Sequence, residues 1–327
     1  MSRLDLAHLT DVHLGPLPRA RVTELLGKRA FGYLSWHRRR NRLHRLEVLE
    51  ALALDLEVDP PDHIAVTGDL VNIALPPEFE QAARWLESTA NPDRLTVVPG
   101  NHDAYAGKTY RAGWSRWHAY MQGDEGAVAG QFPFVREVTP GMALIGLSSA
   151  VPSGVGFATG QLGPAQLEAL DGLLDELGQR GLCRILMLHH PPLGPAIHRR
   201  RGLRDEAALR EVVARRGAEL VLSGHQHVFM VGDMPGPHRP VPVLVAPSAS
   251  LTRGHDGAGG YLRLMVEHRG DSTDVVLQLR RFVAGAPDLA VEQTARLVAT
   301  DGRITLEPAD WPGAAEAPAP ARRRAAG

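Results

Sequence analysis

The chain has 327 residues, 44% of them apolar, enough for one large domain or two small ones around a proper core and too many for global disorder. Its 36 Lys and Arg balance 37 Asp and Glu, and a net charge of −1 excludes an overall field that would draw the whole surface to nucleic acid. A single cysteine, Cys183, excludes an intrachain disulfide; it precedes the apolar run ILML and is expected in the core.

The opening stretch MSRLDLAHLTDVHLG lacks the basic and apolar regions of a signal peptide, and no apolar run reaches the roughly 18 residues of a membrane span. A cytoplasmic location is therefore expected. The first strand is LDLAHL, residues 4–9. Helical spacing follows over 41–56, with Leu43, Leu46, Leu49 and Leu52 on one stripe. Further strands are expected at 63–67, 95–99, 142–147, 184–188, 218–223, 241–246, 261–267 and 274–282, most of them continuous and rich in β-branched residues or leucine, as doubly buried strands are. Helical patterns at 76–87 and 164–178 begin with proline, and the second stops at Gly178. The last two strands, around RGDS, read as a hairpin at a sheet edge. Alternation of this kind predicts a layered α/β domain.

Polar residues follow five of these strands: Thr10-Asp11-Val12-His13, Gly68-Asp69, Gly100-Asn101-His102-Asp103, His189-His190-Pro191 and Gly224-His225-Gln226-His227. Taken singly, each has an ordinary explanation. An Asp after a strand caps the next helix, GD and GN are turn dipeptides, and a His before prolines fills a bend. Five strand ends together carrying ligand-type side chains are not explained that way. Sites in α/β sheets form where such ends converge, and this set of side chains is one that holds metal ions.

The order D-x-H, GD, GNH-D, H-x-P, GH-x-H resembles the calcineurin-like metallophosphoesterases over roughly residues 1–283. The resemblance implies a four-layer sandwich of two packed mixed β-sheets flanked by helices, with a dinuclear metal centre. Carried over position by position, it implies Asp11, His13 and His227 on one ion, Asn101, His189 and His225 on the other, and Asp69 bridging both. His102 matches the histidine that faces the substrate without ligating metal, and Asp103 is expected to orient it. A hydroxide bridging the two ions would be the nucleophile. The imidazole, carboxylate and amide donors suit Mn, Fe, Zn, Co or Ni and do not choose among them.

Two departures carry the remaining information. Residues 19–45 form a long insertion with nine Lys or Arg against the single acid Glu24, and Phe31, Tyr33, Leu34 and Trp36 are embedded in it. A second basic run, HRRRGLR, spans 198–204. Both leave metal-bearing strands and should rim the site, and Arg253 and His255 follow another strand nearby. A solvated basic face is the plainer reading of such runs. The enzyme reading is a metal-dependent phosphoester hydrolase, foremost a phosphodiesterase acting on an anionic phosphoester. The alternative is a hydrolase of a lipid-linked phosphoester or pyrophosphate, held through 19–45 on an anionic membrane at its inner face. Ranked behind these are a nuclease, for which no dedicated nucleic-acid-binding domain follows, and a non-catalytic metal-binding scaffold. Residues 284–327 form a polar C-terminal extension, its tail from about 313 expected to be disordered.

Overall fold

Every apolar run expected to be a strand is one. The computed structural model describes residues 1–105, 110–124, 130–255, 257–286, 289–300 and 302–308. In chain order the strands are β1 (Ser2–Leu9), β2 (His63–Val66), β3 (Leu95–Val97), β4 (Phe134–Thr139), β5 (Met142–Gly146), β6 (Cys183–Met187), β7 (Leu220–Ser223), β8 (Met230–Met234), β9 (Val241–Val245), β10 (Gly260–Arg269), β11 (Ser272–Phe282), β12 (Leu289–Thr300) and β13 (Arg303–Pro308). The helices are α1 (Lys28–Arg38), α2 (Leu46–Val58), α3 (Pro76–Thr89), α4 (Tyr110–Trp114), α5 (Pro164–Gln179) and α6 (Glu206–Arg216). Among the described residues, no helix is long and apolar enough to cross a membrane.

The strands form two mixed sheets, ordered β13-β12-β11-β10-β1-β2-β3 and β4-β5-β6-β7-β9-β8. In the first, β1, β2 and β3 run parallel; in the second, β5, β6, β7 and β9 do. The two-residue side-chain period explains the layering. Leu144, Ile185, Met187, Leu220 and Leu222 face inward to a cluster shared with Leu4, Leu6, Leu9 and Val66 of the first sheet. Their neighbours Ala143, Ile145, Leu186 and Val221 face outward, under Leu167, Leu170 and Leu174 of α5 and Leu209 and Val213 of α6. The first sheet is covered by α2, whose Asp55 carboxylate accepts hydrogen bonds from Tyr261 and, at 3.0 Å, from Arg280. Four layers result, as the sequence led one to expect.

Two expectations change. The β10–β11 hairpin does not lie at an edge: β12 pairs with β11 and β13 with β12, so the polar stretch after residue 284 continues the same sheet as far as Pro308. The tail expected to be disordered from about 313 lies outside the described residues. The leucine stripe on α2 also shifts. Leu43 precedes the helix and Leu46 is 45% exposed, while Val48, Leu49, Leu52 and Leu56 face the core. Cys183 is buried, and burial raises its thiol pKa beyond reach of thiolate chemistry.

Candidate metal centre

Because β1, β2 and β3 are parallel, their carboxyl ends emerge on one side; those of β6 and β7 do the same in the second sheet. The sandwich brings these ends together, and the polar segments after them meet. Glycines make the approach close enough. A Cβ on Gly224 would lie 1.8 Å from Thr10 Oγ1, and one on Gly68 would lie 2.3 Å from the Gly100 nitrogen.

The side chains fall into two groups around one carboxylate. His227 Nε2 lies 3.0 Å from Asp11 Oδ1 and 3.3 Å from His13 Nε2. On the other side, His189 Nε2 lies 3.2 Å from Asn101 Oδ1 and 3.2 Å from His225 Nδ1. Asp69 Oδ2 faces both groups, 3.7 Å from His13 Nε2 and 3.4 Å from His189 Nε2. The seven candidate ligands named from the resemblance thus lie side by side in one place.

Outer partners aim the ligand atoms inward. His13 Nδ1 donates to the Val71 carbonyl at 3.2 Å and His189 Nδ1 to the Thr67 carbonyl at 2.7 Å, which leaves each Nε2 lone pair facing the centre. Asp11 Oδ2 accepts from Thr10 Oγ1 and from the His225 amide, and Asp69 Oδ1 accepts the His102 amide at 2.6 Å. Asp11 Oδ1 is buried and has the His227 imidazole, 3.0 Å away, as its close polar neighbour. Paired imidazole nitrogens and unspent carboxylate oxygens within about 3–4 Å of one another are stable around cations and costly without them. The residues therefore fit a metal centre.

The electrostatics agree. Burial opposes ionisation of Asp11, but His227, His189 and His225 outweigh it and hold the carboxyl below the usual range. Burial likewise disfavours the imidazolium at His189, yet Asp69 and Asp11 raise its pKa to about 9, so without a cation the ring carries the proton that a metal ion would displace. At His13 burial dominates, with Arg40 and His44 adding to it, and the ring stays neutral, the form that ligates metal.

The backbone is most strained at these same positions. Six non-glycine residues among those described have left-handed φ: Asp11 (50°), His13 (42°), Asp69 (57°), Ala74 (57°), His225 (72°) and His227 (58°). Five of the six are candidate ligands. Each such conformation costs about 1–3 kcal/mol and persists only where the surroundings enforce it.

Asp103 corrects an expectation. It does not orient His102: its two oxygens accept the backbone amides of Gly100, Asp69, Leu70 and Val71 at 2.8–3.1 Å. It clips the β2 and β3 loops together. The residue that positions the His102 ring is Asn72, whose carbonyl accepts from Nδ1. Burial pulls the His102 pKa down to about 3, so the resting ring is neutral.

Both insertions rim the site. One cleft of about 1370 Å³ is lined by Asp69, Asn101, His102, His225 and His227 at its floor, and by Lys28, Phe31 and Arg40 from the first insertion and His198, Arg200 and Arg201 from the second. Arg253 and His255 line it as well. Two residues at its floor were not legible as site residues. Arg40 sits 3.5 Å from His102 Nδ1, and the His44 ring lies 4.7 Å from that of His13. Neither belongs to a strand-end motif, so no sequence signal separates them from the surrounding charge run. The insertion is also less uniform than its composition suggests. Trp36 is 3% exposed in the core, while Phe31 is 61% and Leu34 46% exposed.

A family model described as calcineurin-like phosphoesterase matches residues 4–229. A probable cyclic nucleotide phosphodiesterase of Synechococcus is 28% identical over 234 residues, covering 68% of this chain and 73% of that protein. A cAMP/cGMP dual specificity phosphodiesterase of Mycobacterium tuberculosis is 29% identical over 215 residues, or 61% of each protein. Among solved structures, a dimetal phosphatase from Danio rerio superposes with a TM-score of 0.57 at 13% identity, covering 84% of this chain and 94% of that one. The structure of PhoD gives 0.58 at 10% identity, covering 96% and 73%.

Proposed function

Because this chain belongs to the calcineurin-like phosphoesterase family, and is thereby a metal-dependent hydrolase of phosphoester bonds, we propose that it cleaves phosphodiesters at a dinuclear centre held by Asp11, His13, Asp69, Asn101, His189, His225 and His227. The observation that carries this reading is the single Asp69 oxygen facing both His13 and His189. Two divalent cations bound there would lower the pKa of a water and neutralise phosphate charge.

The chain's own residues supply orientation and proton handling. Asn101 and the imidazoles hold the floor of the cleft without adding negative charge that would repel a phosphate. His102 is fixed by the Asn72 carbonyl at Nδ1, so Nε2 is the nitrogen that exchanges a proton. An anionic substrate beside it opposes the effect of burial and restores the imidazolium, which then donates to the departing alkoxide. A diester rather than a monoester suits the cleft, whose volume exceeds what one phosphoryl group fills and leaves room for a group on either side. The names of the two phosphodiesterase relatives support cyclic nucleotides as the first substrates to test.

Metal-loaded protein should therefore hydrolyse an aryl diester and a cyclic nucleotide faster than an aryl monoester, with release of product as the assay. A monoester preference across Mn, Fe, Zn, Co and Ni would overturn the diesterase reading.

One observation favours a second reading of the setting, in which the protein works on an anionic membrane surface. Exposed Phe31 and Phe157 line the cleft, exposed Leu34 and Val155 lie close to them in the chain, and Lys28 joins the two segments by donating to Ser153 Oγ at 2.8 Å and to the Phe157 carbonyl at 3.2 Å. Arg200 lies over the Phe157 ring at 5.6 Å. Apolar rings ringed by arginine suit a headgroup boundary. The protein should then co-sediment with phosphatidylglycerol vesicles at low salt and come off as salt rises. Leu34→Ser with Arg38→Ser, neither of which lines the cleft, should weaken that association and leave cleavage of a small aryl diester intact. No more pelleting with anionic than with neutral vesicles would remove the membrane reading.

A further inference from the structure

The insertion of residues 19–45 is locked to the wall of the metal centre. After α1 the chain makes a 3-10 turn over Arg40–Arg42, and the His44 amide donates to the Arg40 carbonyl at 2.9 Å. The Arg45 amide then donates to the Ser250 carbonyl and the Thr252 amide to the Leu43 carbonyl, at 2.9 and 2.8 Å. His44 Nδ1 pairs with Ser250 Oγ at 2.8 Å, and Ser248 Oγ of the same loop donates to the Asp11 carbonyl at 2.7 Å. The position of residue 40 is thus set by the same loop that supports a candidate ligand.

From this turn the Arg40 side chain enters the cleft, half-buried, beside His102. Among the described residues, no carboxylate lies within ion-pair distance of its guanidinium. The other deeply placed arginines differ. Arg263 is held by Asp5, Arg280 by Asp55 and Asp59, Arg184 by Glu219, and Arg136 by the carbonyls of Pro92, Leu95 and Gln122. Burial lowers the Arg40 pKa, and the charges of Asp69, then Tyr105 and Glu78, and most weakly Asp11 work against it. Of these, Asp69, the largest, and Asp11 are the ones that cations would neutralise. A loaded centre would leave a desolvated guanidinium facing a cation-rich floor, an arrangement made favourable by an anion between them.

We propose that Arg40 is that anion's protein ligand: it binds the non-bridging oxygens of the scissile phosphate, so the insertion supplies part of the phosphate site. The proposal rests on the phosphodiesterase reading of the centre and deepens it. A planar fork of donors matches a phosphate edge in a way an ammonium does not.

Arg40→Ala and Arg40→Lys, compared with wild type after metal loading, test it. Inorganic phosphate binding by calorimetry should weaken at least about tenfold in Arg40→Ala, with metal content and melting temperature unchanged. The kcat/KM for an aryl diester should fall about 10²–10³-fold, as when one donor to a developing oxyanion is removed. Lysine should restore only part of either loss. Wild-type phosphate affinity and kcat/KM in both variants would overturn the proposal, as would loss of metal in Arg40→Ala, which would mark a supporting role instead. The calorimetric arm does not need turnover. If the wild type takes up metal yet cleaves no diester, the reaction assignment fails while phosphate affinity still decides the role of Arg40.

Discussion

Asp69→Asn is expected to leave a folded protein without hydrolytic activity and with depleted metal. The substitution keeps the shape and the oxygen that accepts the His102 amide, so the loop between β2 and α3 retains its main anchor. What it removes is the negative charge that faces both His13 and His189. No other carboxylate among the candidate ligands has imidazole nitrogens of both groups within ion-pair distance; Asp11 has those of His13 and His227, and meets the other group through the His225 backbone amide. Turnover should drop by at least about 10³-fold, and elemental analysis should find fewer than two metal ions per chain. Asn101→Ala is the control. It deletes a neutral donor on the His189 side alone and should cost less metal. Full occupancy and full activity in Asp69→Asn would sink the dinuclear assignment.

His102→Ala separates proton transfer from metal binding. Its ring is positioned by the Asn72 carbonyl and stacks on Tyr105 at 5.1 Å, while the two ligand groups form without it. The variant should keep both metal ions and lose about 10²–10⁴-fold in turnover on an alkyl diester. With a nitrophenol leaving group, which departs without protonation, the deficit should shrink. An equal deficit for good and poor leaving groups would argue against the acid role and leave His102 as a phosphate contact.

The sequence made the core strands and the candidate ligands legible for one shared reason. A doubly buried strand is written as an unbroken apolar run, and a ligand placed immediately after it inherits a known position at the sheet end. Where the run is broken the signal fades. FVREVT of β4, MVGDM of β8 and the polar β12 and β13 lie at or near sheet edges with only part of each strand buried, so their composition resembles loop. Asp103 misled by adjacency: it follows His102 directly, yet its carboxylate turns back into the β2 loop. Arg40 and His44 were out of reach for the opposite reason. Their direction depends on a turn held by Ser250, more than 200 residues away in the chain.

The left-handed conformations at positions 11, 13, 69, 225 and 227 set heat resistance and chemistry against each other. Glycine adopts these angles freely, so a glycine at any of the five would relax the backbone while deleting a ligand. A lineage drifting under pressure for stability alone would lose these side chains early. All five positions carry Asp or His in the conformation least comfortable for them, so the backbone relaxation that glycine would bring is forgone for the side chain.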